Sequence, residues 1–139
     1  MGQVKQTDPA TVILEADTTE LLQELAILEA DTTELLQELA NRGGHPGALA
    51  KAALLCIKKS QDYNHGKDVN PHDVDRSDYF PFGAVSYAQM LHTKSARFNS
   101  LVKKQLDGHG SNFEGLADTA LDIINYAGFY IAAEEQGNV

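Results

Sequence analysis

Glu114, Asp118, Asp122 and Asn125 recur at i, i+4, i+8 and i+11 within the segment Phe113–Gln136. On a helix these four side chains fall within roughly 80° of one another. The rest of the segment is mostly apolar, with Leu116, Ala120, Leu121, Ile123, Ile124, Tyr126, Phe129 and Ile131. A helix that is apolar on its other faces is largely buried, so the acidic stripe is expected to face a cleft rather than bulk water. Clustered carboxylates repel one another unless something positive lies between them. Two chemistries meet that need. In the first, Asp118 and Asp122 hold a divalent cation and act as catalytic carboxylates, with Asn125 orienting a ligand or water. Mg²⁺ suits this, because it takes oxygen ligands and keeps waters for bridging to phosphates. In the second, the stripe is a satisfied structural network paired with cationic side chains. Glu114 lies in the first turn, where capping is explanation enough.

The cations come from elsewhere in the chain. Lys94 and Arg97 are i,i+3 neighbours on one helical face with Tyr87, Met90 and Leu101. Two cations on a partly apolar face suit an anionic ligand, and they equally suit ion pairs with Asp118 or Asp122. Lys58-Lys59-Ser60-Gln61-Asp62-Tyr63 closes another helical segment. Lys58, Asp62 and Tyr63 are its candidates for substrate contact, while lysines at a helix C-terminus also answer the macrodipole. His65, His72 and His109 lack zinc spacing, and neither glycine-rich phosphate-loop pattern occurs.

The elements that must position these residues are helical throughout. Residues 13–26 read ILEADTTELLQELA, and 27–40 repeat them without a change. Fourteen residues are two heptads, so Leu14, Leu21, Leu28 and Leu35 share one register position and Leu25 and Leu39 another. A single long helix keeps this apolar stripe. The rival reading breaks the chain at Asp17-Thr-Thr-Glu20 and Asp31-Thr-Thr-Glu34, each of which looks like a capping box. Gly43-Gly44 ends the segment, and Pro46 suits a first turn. Residues 47–62 form a second helix, with Leu49, Ala53, Cys56 and Ile57 on its core face. Residues 63–83 are a long polar loop of the kind that often carries function. Residues 84–106 form a third helix. Ser111 with Glu114 makes a capping box for the fourth. No alternating strand pattern occurs. The expected architecture is an all-α, four-helix bundle-like domain over 13–139, after a flexible lead-in at 1–12.

Composition narrows the function. The formal net charge is −9, which argues against nonspecific nucleic-acid binding. It leaves room for a small phosphorylated ligand at a local basic site. One cysteine, Cys56, fits a reducing, cytoplasmic location. No stretch reaches the roughly 20 apolar residues of a membrane span. The leucine heptads point to a homo-oligomer.

Three blocks carry a family resemblance: KKSQDYN at 58–64, FPFGAVSYAQMLHTKSARFNSL at 80–101 and NFEGLADTALDIINYAGFYI at 112–131. Together they resemble phage nucleotide-modification-associated proteins, which are distantly similar to the all-α MazG-like and dimeric dUTPase pyrophosphohydrolases. The resemblance implies a nucleotide ligand, Mg²⁺-dependent phosphoanhydride hydrolysis and a place in the host cytoplasm. In that group E-x-x-E and E-x-x-D helices hold the metal. Here the acids read E-x-x-x-D-x-x-x-D-x-x-N, a departure that bears on hydrolysis more than on binding. A noncatalytic protein that sequesters a nucleotide or feeds a modification enzyme is the alternative, and a helical assembly module is the third reading.

Overall fold

The structure is a computed structural model that describes residues 9–63, 74–109 and 115–139. Its elements are α1 (Pro9–Arg42), α2 (Gly44–Tyr63), the short α3 (Arg76–Tyr79), α4 (Ala84–Leu106) and α5 (Leu116–Glu135). No strand occurs among the described residues, so the fold is all-α. The chain divides after Leu35 into two compact units.

Helix α1 passes through both copies of the repeat as one element. The Asp-Thr-Thr-Glu runs therefore lie inside a helix rather than at its start. Thr32 shows how the interior accommodates them: its hydroxyl donates to the Leu28 carbonyl at 2.7 Å, one turn back. The apolar side chains of this stretch remain exposed, among them Leu21, Leu25 and Leu28.

The second unit, Leu36–Val139, holds the core. Gly43 and Gly44 adopt φ of 77° and 69°, which lets the chain reverse between α1 and α2 without a Cβ penalty. Ala40 near the end of α1, and Ala50 and Ala52 on α2, are buried. A Cβ built on Gly47 would meet the Leu39 carbonyl oxygen at 2.9 Å. Gly47→Ala is therefore expected to destabilise by about 1–2 kcal/mol, since overpacking outweighs the gain in helix propensity. Urea unfolding measures this, and a stabilised variant would mean that the approach is looser than it looks. Leu49, expected on the core face, is 46% exposed, while Ala50, Ala52 and Ser60 are buried.

Helix α5 packs against both α4 and α2. The segment read as a polar loop at 63–83 contributes more than expected, although residues 64–73 lie outside the described residues. Asp75 caps α3, its Oδ1 accepting from the Ser77 and Asp78 amides at 2.9 and 3.3 Å. Val74 and Phe80 flank α3 and are both buried. Phe80 stacks on Tyr87 of α4, with ring centroids 4.1 Å apart and planes 11° from parallel. Tyr126 and Phe129 of α5 present edges and tilted faces to the same ring. These rings, with Val74, Met90 and Ala133, form the centre of the unit.

Candidate functional site

One carboxylate on α5 joins three helices. Asp122 is 8% exposed. Its Oδ2 accepts from Lys94 Nζ of α4 at 2.8 Å, and its Oδ1 accepts from Lys59 Nζ of α2 at 3.2 Å. The Lys94 side chain is 19% exposed and that of Lys59 39%, so one ammonium is enclosed and the other reaches solvent. Burial pushes the Asp122 carboxyl toward a higher pKa. The hydrogen bonds and charges of Lys94 and Lys59 together outweigh burial and hold it below its ordinary value.

The packing of α4 explains why Lys94 reaches Asp122. The stripe that meets α5 runs Tyr87, Met90, Lys94, Phe98 and Leu101, at spacings of three and four. Lys94 is thus the one cation set in an apolar row. Arg97 stands one residue off that row and is exposed. On α2, Ala52, Cys56 and Lys59 fall at i, i+4 and i+7, so Lys59 shares a face with small residues. Lys58, turned by about 100°, is exposed, as is Asp62. The side chain of Tyr63 lies outside the described residues.

Along α5 the stripe divides. Asp118 is exposed and turns back on its own helix, its Oδ2 accepting from the Gly115 amide at 3.3 Å. The expected capping pair, Ser111 with Glu114, lies outside the described residues. Asn125 is half-buried and lines a cavity of about 30 Å³ together with Asp122, Lys59 and Cys56. Val74, Tyr126 and Phe129 form the rest of its wall. The same three residues also line a second cavity of about 170 Å³, completed by Tyr79, Phe80 and Met90. The charged cavity and the aromatic cavity therefore adjoin, with Val74, Tyr126 and Phe129 common to both linings.

No family model, curated protein or solved structure matches this chain.

The chemistry must therefore be read from the arrangement. Both oxygens of Asp122 serve ammonium groups, where the sequence reading set Mg²⁺. No group of three or more His, Cys, Asp or Glu side chains gathers among the described residues. Each ammonium has three donors, and a carboxylate that fixes one of them also fixes where the others point. Lys59 is the residue that sequence reasoning passed over. Its signal was its place at i+3 from Cys56 and i+7 from Ala52.

Proposed function

We propose that the chain binds a nucleotide or a related phosphorylated small molecule, with its ring in the aromatic cavity and its phosphate against Lys59 and Lys94. The observation that carries this reading is the wall shared by the two cavities. It sets an aromatic cavity beside the Lys59 and Lys94 ammonium groups that Asp122 holds. A cavity near 150 Å³ takes a benzene-sized ring, and the larger cavity here is of that order at about 170 Å³. Phe80, Tyr126 and Phe129 offer faces and edges to such a ring. The Lys59 and Lys94 ammonium groups can donate to an anion, and partial burial strengthens such a contact by excluding water.

Asp122 then acts as an anchor that holds both lysines in place. Mg²⁺ enters this proposal as an ion carried in on the ligand's phosphates, bridging them as it does in solution. Hydrolysis of a phosphoanhydride is the further step proposed from the resemblance. A noncatalytic binder would have the same pocket without turnover.

The test is incubation with a pool of nucleotides and cyclic dinucleotides, with and without Mg²⁺, followed by mass spectrometry of the bound and free fractions. A phosphorylated species is expected in the bound fraction. Lys94→Met is expected to weaken its binding about tenfold, the 1.4 kcal/mol of one charge-assisted contact. New products in the free fraction establish turnover, and an unchanged pool leaves a binder. No retained species, or equal retention by wild type and Lys94→Met, rejects the site.

A further inference from the structure

The charge of this chain is unevenly spread. Residues 13–40 hold eight of its twenty acidic residues and none of its eleven lysines and arginines. The remainder has twelve acids against eleven bases, so the repeat carries eight of the nine net negative charges. Most of the large apolar side chains described in the same stretch are exposed. In the first unit Leu21 is 55% exposed, Leu25 54%, and Leu22, Ile27, Leu28 and Leu35 about 60% each. Glu20, Glu24, Asp31 and Glu34 stand exposed beside them. Apolar surface of this extent, edged by charge of one sign, marks an interaction surface.

The charge pattern selects the occupant. With Leu21, Leu28 and Leu35 at heptad position d, Leu25 and Leu39 fall at a. The flanking g positions are then Asp17, Glu24, Asp31 and Glu38, and the e positions read Glu15, Leu22, Glu29 and Leu36. In a parallel pair of identical helices g faces e of the next heptad, which sets Glu24 against Glu29 of the second copy. In an antiparallel pair g faces g, again acid against acid. Threonines at the a positions Thr18 and Thr32 weaken a self-paired seam further. Anionic lipid and nucleic acid are repelled by the same charges.

We propose that the repeat segment of α1 is a docking helix for a different protein, one presenting an apolar groove edged by lysine and arginine. The leucine stripe enters the groove, and the glutamates on both sides meet the basic edges. The duplication doubles the length of the stripe without altering its register.

The experiment uses the full chain and two synthetic four-heptad peptides, both with Leu at a and d, one with Lys at e and g and the other with Glu. Light scattering at neutral pH is expected to show a monomer. Fluorescence anisotropy is expected to show binding of the Lys-edged peptide at least about tenfold tighter than of the Glu-edged one, with the difference falling as salt rises. Leu21→Asp with Leu28→Asp is expected to abolish binding and leave the melting of the second unit unchanged. Deleting residues 27–40 supplies a second variant. It yields the same chain as deleting 13–26, so Asn41 keeps the same fourteen preceding residues while the stripe is halved, and binding is expected to weaken. A dimer that the leucine substitutions dissociate would make a second copy the occupant and overturn the proposal. So would equal affinity for both peptides, or binding that survives the loss of the leucines.

Discussion

Phe80→Ala is expected to lower the stability of the second unit by about 3–5 kcal/mol, the cost of removing a buried aromatic ring. Phe80 is 5% exposed and touches the aromatic side chains of two helices, stacked on Tyr87 and tilted against Phe129. Aromatic pairs of this geometry contribute beyond their area, so the loss should lie toward the upper end. For a unit of about this size each kcal/mol moves the melting temperature by roughly 4–8 °C, which gives a drop of at least about 12 °C. The control lies two residues away. Phe82 is 77% exposed, and Phe82→Ala is expected to stay within about 0.5 kcal/mol of wild type. Calorimetry on the two variants separates a core residue from its neighbour of the same type. Similar midpoints for both would show that the segment around α3 does not seal the core.

That contrast explains how much the sequence showed. Helix α4 was legible to the residue, because Gly83 and Asp107-Gly108 punctuate it on both sides and nothing inside interrupts its period. The continuity of α1 was legible because a fourteen-residue copy preserves the heptad. The importance of Phe80 was not legible. Val74 stands alone in a polar stretch and Phe80 lies in the short run Tyr79-Phe80-Pro81-Phe82, neither with a period to reveal it, and the tertiary partners Tyr87, Tyr126 and Phe129 single out Phe80. The site was partly legible for a similar reason. The acidic stripe and Lys94 follow from helical spacing alone. Which acid is enclosed depends on where α4 and α2 cross α5, and that crossing leaves Asp118 outside and Asp122 inside. Lys59 rather than Lys58 meets Asp122 because the two side chains point about 100° apart on α2. Helical period names the residues on one face, and packing decides which of them meet.

Asp122→Ala is expected to cost about 2 kcal/mol or more, and the cost should depend on pH. Removing the carboxylate leaves the enclosed Lys94 ammonium without its partner at 2.8 Å. Breaking a fully buried pair costs about 3–5 kcal/mol. Lys59, 39% exposed, can turn to solvent and reduces that figure. Double-mutant cycles should therefore give a larger coupling for Asp122 with Lys94 than with Lys59. The pH dependence follows from the lowered Asp122 pKa. Burial raises it, and the two lysines lower it by more, so the folded value lies below the unfolded value of about 3.9. A depressed folded pKa contributes stability that is complete above the unfolded value and is lost as pH falls through the folded one. The stability difference between wild type and Asp122→Asn should thus be constant from neutral pH down to about 5 and shrink below about 4. Chemical denaturation across that range reads it directly. A difference that shrank between about pH 5 and 7 would mean that burial dominates and the pKa is raised. The lysines would then fail to hold the carboxylate ionised, and the proposed anion site would lose its anchor.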